Sequence, residues 1–184
     1  WKPAGPGGPT LFPPYGIREF GGVRVAFIGL TLRTAADLVS PAMVRGLTFG
    51  HEATAANALV EALGRQGVRA IVVLLHEGGR YPDGAPDPCA ALSGEIVGIV
   101  RDLSPEVDVV VSGHTHHDYA CTLGSALVTS AGSFGRMVTD IDLTLDRRTG
   151  QVVSARARNL VVTRDVAKDA AQSAIVSRYG QLSA

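Results

Sequence analysis

Cysteine and net charge are both scarce in this sequence, and each scarcity excludes a class of protein. The 184 residues contain two cysteines, Cys89 and Cys121, which allow at most one disulfide and exclude a cysteine-stapled scaffold. The 17 basic residues balance the 17 acidic ones, so no basic patch predicts a nucleic-acid polymer as partner and no charged tail predicts a membrane surface. The apolar runs are far too short to span a bilayer, and Trp1-Lys2-Pro3 lacks the apolar stretch of a signal peptide.

The order of the apolar patterns predicts an α/β fold. Residues 1–14 are rich in proline and glycine and are expected to be an irregular, extended segment, whereas residues 15–184 form one folded domain. Short apolar runs predict strands over 15–20, 23–30, 70–75 and 107–111. The first two flank Gly21-Gly22, which indicates a hairpin. Strands that alternate with helices predict parallel pairing in the first two-thirds of the domain.

Three segments have the spacing of helices with one apolar face. Residues 53–66 place apolar side chains three and four positions apart, and Gly67 ends that helix. A second helix follows Ser93, which is expected to cap it, and stops before Pro105. A third, amphipathic helix is expected over residues 168–179.

The last third of the chain predicts a long antiparallel hairpin. Residues 138–146 and 153–162 both alternate between apolar and polar side chains, around a turn at residues 146–150. The charged side chains of the polar face are Asp140, Asp142, Arg156 and Arg158. We interpret them as cross-strand pairs on a solvated face and not as a carboxylate cluster.

Histidine supplies the main functional pattern, because three of the five histidines directly follow predicted core strands. The run 71–75 ends in His76, and the run 109–111 leads through Ser112-Gly113 to His114 and His116. Ligands of open α/β sheets sit beyond the carboxyl ends of strands, so we expect the three imidazoles to share one edge. Neutral imidazole binds Zn, Mn, Fe and Ni, and His76, His114 and His116 are therefore the predicted metal ligands.

The other two histidines and the nearby glycines are not predicted to be metal ligands. His117 is expected to point away from His116 along an extended backbone, toward solvent or a substrate cleft. His51 precedes a helix whose Glu52 favours the dipole, and no catalytic role is predicted for it. We expect Gly113 to permit a close backbone approach. Residues 130–135 are either a glycine loop reaching the metal edge or a plain turn.

Three imidazoles alone are an incomplete site for phosphoryl chemistry. A two-metal phosphoesterase needs bridging and terminal carboxylates to hold its cations about 3.5–4 Å apart. The sequence has neither an Asp-x-His nor an Asn-His-Glu motif, and we expect these in a segment before Trp1. No catalytic residue is predicted within the chain.

Residues 72–79, 111–116 and 130–136 together resemble the secreted bacterial 5′-nucleotidase, 2′,3′-cyclic phosphodiesterase and UDP-sugar hydrolase family of calcineurin-like metallophosphoesterases. The resemblance extends to residues 24–31 and 137–146 and covers the latter half of that family's catalytic domain. It implies a four-layer α/β fold of two packed sheets flanked by helices, of which this chain supplies about half.

The resemblance also implies a cofactor, a substrate and a location. His76 and His114 would bind one divalent metal ion and His116 a second, with Zn, Mn and Mg among the candidates. The substrate would be a nucleotide or related phosphoester, hydrolysed as a monoester or cyclic diester. The whole protein would be secreted, in the cell wall or periplasmic, and the missing first half of the domain would be an obligatory partner.

Two further expectations rest on this resemblance. Cys89 and Cys121 both leave the edge that carries the histidines, and an exported protein keeps disulfides, so we expect the two cysteines to be bonded. The chain by itself is expected to be inactive, because it lacks the carboxylate ligands.

Two alternatives stay open. The metallo-β-lactamase-type hydrolases use His-x-His-x-Asp-His, and the sequence matches His114-Thr115-His116-His117-Asp118 only in part, with Tyr119 at the last position. The other alternative is a non-catalytic folded domain whose histidines bind adventitious metal or none.

Overall fold

The computed structural model describes residues 2–3 and 10–183, and side chains from residue 10 onward. Much of the expected extended segment at residues 1–14 lies outside these residues. In chain order the elements are β1 (Lys2–Pro3), β2 (Tyr15–Phe20), β3 (Val23–Leu30), α1 (Ala35–Leu38), β4 (Leu47–Thr48), α2 (Glu52–Arg65), β5 (Ala70–Leu75), α3 (Glu95–Asp102), β6 (Val109–Val111), β7 (Asp118–Leu123), β8 (Ala126–Ala131), β9 (Met137–Leu145), β10 (Val152–Val161) and α4 (Ala170–Leu182).

A six-stranded sheet forms the centre of the domain, with the order β2-β3-β5-β6-β8-β7. Its four inner strands are parallel, and β2 and β7 pair antiparallel at the two edges. The predicted α/β class and the parallel pairing are therefore confirmed. All four parallel strands end at the same edge of the sheet, which is where β5 and β6 lead into the histidines.

Each face of the sheet is covered by a different layer. On one face α2 and α3 bury apolar side chains against the sheet, including Ala56, Val60 and Leu63 from α2 and Ile96 and Ile99 from α3. This is the three- and four-residue spacing that predicted the helices. On the other face the hairpin β9–β10 packs with a second cluster of apolar side chains, so the fold stacks helices, sheet and hairpin.

The structure confirms the antiparallel hairpin that the alternating pattern of the last third of the chain predicts, and this hairpin is β9–β10. Ile141, Leu143 and Leu145 face the sheet, as their spacing predicts. Asp140 and Arg158 are opposite in register and form an exposed ion pair at 2.8 Å. Asp142 and Arg156 are also opposite, but within residues 10–183 they make no ion pair.

The starts of two helices differ from those predicted from the sequence. Ser93 does not cap α3, because its hydroxyl donates to the carbonyl of Arg80 at 2.9 Å and Gly94 takes the cap position. The helix α4 begins two residues later than expected, where the Asp169 side chain accepts from the Gln172 backbone N–H at 2.7 Å. No residue of α4 is buried, and its apolar side chains Ile175, Val176, Tyr179 and Leu182 are exposed.

The hairpin β7–β8 is the main element that the sequence analysis missed. Its turn is Gly124-Ser125, and the strand β8 continues to Ala131, where a glycine loop was expected from residue 130. The whole of β8 from Ala126 to Ser130 is buried, so it shows no alternation.

The edge opposite the histidines is fixed by Asp108. Its carboxylate accepts a hydrogen bond from the Ile71 backbone N–H at 2.8 Å, which aligns β5 with β6 at their start. Burial raises the pKa of Asp108 to about 6. No helix in the described part of the chain is both long and apolar enough to cross a membrane.

Candidate metal centre

His76 and His114 lie together where β5 and β6 end. The His76 backbone N–H donates to the carbonyl of Leu30 at 3.0 Å, which extends the pairing of β5 with β3 up to the histidine itself. The His76 and His114 ring centroids are 5.2 Å apart with an interplanar angle of 66°. Both side chains are exposed. The sheet thus brings two imidazole rings to one open edge, and this pair fits one part of a metal site.

His116 lies on the same loop but contacts another side chain. Its ring is 5.6 Å from the ring of Phe134, centroid to centroid, in an edge-on arrangement. Within residues 10–183, no three side chains of the types His, Cys, Asp and Glu come together as a group that could hold a metal ion. The three-histidine ligand set therefore stays a prediction.

The backbone at His114 and His116 is in a conformation that the sequence analysis did not expect. Their φ angles are +67° and +63°, in the left-handed region that L side chains rarely adopt. The prediction of an extended backbone at this point, from which His117 was placed, is therefore wrong. Such conformations cost about 1–3 kcal/mol each and gather at functional sites, so the surrounding contacts must hold them.

Hydrogen bonds between the two strand-end loops supply that support. The Gly113 N–H donates to the carbonyl of Glu77 at 3.1 Å. Thr115, between the two histidines, donates its hydroxyl to the carbonyl of Gly79 at 2.7 Å. Because Thr115 points into the neighbouring loop, the histidines on either side of it remain exposed.

The hydroxyl of Tyr119 also links the two loops, because it contacts Gly79 after β5 and Ser112 after β6. It accepts from the Gly79 N–H at 3.0 Å and lies 2.6 Å from the hydroxyl of Ser112. Ser112 itself donates to the carbonyl of Thr129 at 2.8 Å, and its single proton is thereby used. The Tyr119 hydroxyl must then donate to the Ser112 hydroxyl, so the direction of each hydrogen bond in this network is determined.

The close backbone approach occurs at Gly78 and not at Gly113. A Cβ on Gly78 would lie 2.2 Å from the carbonyl oxygen of Gly113 and 2.6 Å from the hydroxyl of Thr115. A Cβ on Gly113 would meet only the His76 ring, at an ordinary 4.0 Å. The expectation for Gly113 is therefore wrong, and the tight packing belongs to the other loop.

A cavity next to Glu77, the residue that follows His76, contains buried carboxylates to which the sequence analysis gave no role in the site. Glu52 and Glu77 line it and are 6% and 9% exposed. One oxygen of Glu52 accepts from the Arg33 N–H and one oxygen of Glu77 accepts from the Gly78 N–H, each at 2.8 Å. Their visible role is to hold the loops in place. A carboxylate next to a strand-end histidine was the only available sign in the sequence.

His117 packs on Tyr81. The two rings are 5.0 Å apart in an edge-on arrangement, and the His117 side chain is only partly exposed. The Tyr81 hydroxyl donates to the carbonyl of Asp118 at 2.9 Å. Burial, and next the negative charge of Asp118, raise the pKa of Tyr81, so its hydroxyl stays protonated as a donor.

Cys89 and Cys121 form the predicted disulfide, with their Cα atoms 5.4 Å apart and 32 positions between them in sequence. Cys121 belongs to β7, and Cys89 lies on the long connection between Glu77 and α3. The disulfide therefore joins two segments. One is the connection that follows His76, and the other is β7, the strand that follows the loop with His114 and His116.

Phe134 and Arg136 lie on the loop between β8 and β9, where Phe134 contacts His116. Phe134 is 82% exposed and has a φ of +61°, which is a rare conformation for a bulky side chain. The guanidinium carbon of Arg136 lies 5.6 Å from the centre of the Phe134 ring. The loop is anchored by the Gly132 N–H, which donates to the carbonyl of His117 at 3.2 Å.

Curated relatives align with most of this chain. Endonuclease YhcR of Bacillus subtilis is 31% identical over 173 residues, which is 94% of this chain and 14% of that protein. Cell wall protein Lmo0130 of Listeria monocytogenes is 30% identical over 149 residues, 78% of this chain and 19% of that protein. The 5′-nucleotidase of Vibrio cholerae is 29% identical over 122 residues, 66% of this chain and 21% of that protein. The chain thus spans about a fifth or less of these relatives. No protein-family model matches it.

Solved structures share the fold. The sulfate thiohydrolase SoxB from Thermus thermophilus superposes with a TM-score of 0.75 at 20% identity, over 95% of this chain and 30% of that one. The calcineurin-like phosphoesterase YfkN from Bacillus subtilis has a TM-score of 0.75 at 18% identity, over 98% of this chain and 60% of that one. Together, the relatives and the fold show that this chain resembles one part of 5′-nucleotidase-like proteins and has the fold of the calcineurin-like phosphoesterases.

Proposed function

We propose that the whole protein to which this chain belongs is a metal-dependent phosphoesterase that hydrolyses nucleotides. The observation that carries the proposal is the His76–His114 pair, held at the open edge of a parallel sheet. The proposal is supported by relatives named as nucleotidase and endonuclease, whose common chemistry is phosphoester hydrolysis.

In this proposal the three histidines are ligands and not acids or bases. His76 and His114 would hold one divalent ion and His116 would hold a second, and carboxylates from outside residues 1–184 would complete the ligand set. When bound, the two ions supply an activated water and stabilise the charge that develops on the phosphoryl oxygens. The chain's own contribution is geometric, since Thr115 and Tyr119 keep both histidine loops in one arrangement.

Export from the cytoplasm is part of the proposal. One relative is named as a cell wall protein. The Cys89–Cys121 disulfide agrees with this, because disulfides persist in oxidising compartments.

Cleavage of a nucleic acid is the second candidate. It is favoured by the relative that aligns with 94% of this chain and is named an endonuclease. Against it stands the balanced charge of the chain, with 17 basic and 17 acidic residues, because nucleic-acid-binding domains are typically basic.

The test uses the full-length protein, stripped of metal and reloaded with Zn, Mn or Mg. We expect metal-dependent phosphate release from nucleoside monophosphates or opening of 2′,3′-cyclic nucleotides, with little cleavage of oligonucleotides. His114→Ala should lower kcat/KM by more than about a hundredfold, since even partners that only orient metal ligands account for tenfold to a hundredfold.

His51→Ala is the matched control, because His51 is also exposed but makes no side-chain cap hydrogen bond at the start of α2. Its activity should equal that of the unchanged protein. Equal loss in both variants, or hydrolysis that continues with His114 removed, contradicts the ligand assignment. Preferred cleavage of oligonucleotides establishes the second candidate instead.

A further inference from the structure

We propose that Asn159 is a positioning residue for His116, which it holds in place from the hairpin β9–β10 by way of Ser130. This inference rests on the proposed function, because His116 is a metal ligand only there. It goes beyond that function in one respect. The hairpin contributes no predicted ligand, yet it would set the affinity of the protein for one of the two metal ions.

Asn159 is a polar side chain in an apolar layer. Alternation along β10 places it on the same face as Ala155 and Ala157, which pack with the apolar cluster between the hairpin and the sheet. The residue is only partly exposed. A side-chain amide in such a layer is costly unless its polar groups are bonded, and a fully bonded one specifies a single arrangement of the elements around it.

Both ends of the Asn159 amide are bonded. The hydroxyl of Thr139, which is opposite in register on β9, donates to the amide oxygen at 2.7 Å. The amide nitrogen donates to the backbone carbonyl of Ser130, near the end of β8, at 2.9 Å. In the part of the chain that the structure describes, no other side-chain hydrogen bond joins the hairpin to the six-stranded sheet. Thr139 thus orients the amide, and the amide fixes the hairpin to β8.

Ser130 continues the connection into the histidine loop. Its hydroxyl donates to the carbonyl of His117 at 2.7 Å, and the residue is 1% exposed. The Gly132 N–H donates to the same carbonyl at 3.2 Å. His117 directly follows His116, whose φ of +63° must be held by its surroundings. A shift of Ser130 is therefore expected to change the direction in which the His116 side chain points.

The experiment measures the two metal-binding steps of the full-length protein, which is stripped of metal and titrated with Zn by calorimetry. His116→Ala identifies the step that depends on His116. Asn159→Leu removes both hydrogen bonds of the amide at nearly constant volume. It should weaken that step about tenfold and change the other step less than about twofold, since residues that orient metal ligands account for tenfold to a hundredfold in affinity.

Two further variants test the route. Ser130→Ala removes the bond to His117 and should weaken the same binding step. If Asn159 acts by way of Ser130, the double variant should weaken this step by clearly less than the product of the two separate factors. Thr139→Val removes only the bond that orients the amide and should weaken the step by a smaller factor, which keeps the proposal testable if Asn159→Leu does not fold.

Leu143→Ala is the control for a general loss of stability. Leu143 lies on β9 and packs in the same apolar layer, but it takes no part in the hydrogen bonds that lead to His117. Its truncation should lower the thermal unfolding temperature and leave both metal-binding steps unchanged. Circular dichroism at the titration temperature shows whether each variant is folded.

The outcomes separate this proposal from the proposed function. Equal weakening of both steps by Asn159→Leu, or no weakening, overturns the positioning role, and so does the same selective weakening by Leu143→Ala. If His116→Ala changes neither step, His116 is no ligand and the positioning role is refuted as well. Selective weakening in a protein that hydrolyses no nucleotide supports the positioning role and refutes the proposed function.

Discussion

Gly78 shows at the scale of single residues how the candidate site is held together. The loops that follow β5 and β6 approach so closely that no side chain fits at this position, while the two histidines with positive φ lie on the opposite loop. The cost of those two backbone conformations is thus offset by contacts between the loops. Any atom inserted between the loops should separate them.

Gly78→Ala is therefore expected to destabilise the protein. Its Cβ would lie 2.2 Å from the backbone oxygen of Gly113, which cannot move without disturbing the hydrogen bond it accepts from the Thr115 N–H at 2.7 Å. Overpacking of this kind costs about 1–3 kcal/mol. Urea denaturation followed by circular dichroism measures the loss.

Gly98→Ala is the control for this prediction. Gly98 lies within α3, and a Cβ there meets nothing within 4 Å. Alanine should stabilise the helix by about 0.5–1 kcal/mol. If the two variants change the free energy of unfolding by similar amounts, the loops are not packed as described.

Residue patterns predicted the position of the histidines but not their backbone. The runs before His76 and His114 placed both imidazoles at one edge, because parallel strands end together. The left-handed conformations at His114 and His116 left no trace in the sequence, since neither is a glycine. They depend on contacts between Thr115 and Gly79, which are distant in sequence.

At the scale of elements, the long connection from β5 to α3 has little regular structure and depends on its disulfide. Cys89 is joined to Cys121 of β7, and the enclosed loop spans 32 positions. The same connection contains Glu77, Gly78 and Gly79, which contact the histidine loop. Its anchoring is therefore expected to support both stability and the geometry of the site.

Replacing both cysteines by serine should lower the free energy of unfolding by about 3–4 kcal/mol, the chain-entropy value for a loop of this length. Thermal denaturation of the double variant and of the oxidised protein measures the difference. Ser93→Ala serves as a milder control, because it removes only one hydrogen bond, to Arg80, from the same connection. Two freely alkylated thiols in the folded, unreduced protein would contradict the pairing.

The sequence predicted most elements but missed β7 and β8. The helices α2 and α3 and the hairpin β9–β10 each have one buried and one exposed face, and such faces produce a periodic pattern. The strand β8 is buried on both faces, so it has no period, and its Thr129 and Ser130 look like loop residues. Only tertiary packing, which a local pattern does not contain, identifies such a strand.

At the scale of the whole molecule, the described chain brings three histidines to one edge, which in the proposed function is one side of a two-metal site. His76, His114 and His116 are exposed on one edge. The nearby carboxylates make other contacts, since Glu77 accepts from the Gly78 N–H and Asp118 lies beside the Tyr81 hydroxyl. The chain also spans 14% of YhcR and 19% of Lmo0130, so most of the length of these relatives lies outside the matched region.

The chain of residues 1–184 alone is therefore expected to bind divalent metal weakly and to hydrolyse nucleotides negligibly. Three imidazoles shared between two cations leave each ion with one or two ligands, and no bridging carboxylate compensates the second charge. Calorimetric titration with Zn and a phosphate-release assay measure both properties. Adding the first half of the catalytic domain should restore turnover, and His114→Ala in that mixture should abolish it. Strong metal-dependent activity from residues 1–184 alone would show that the ligand set is complete within this chain and that the assignment of the missing carboxylates is wrong.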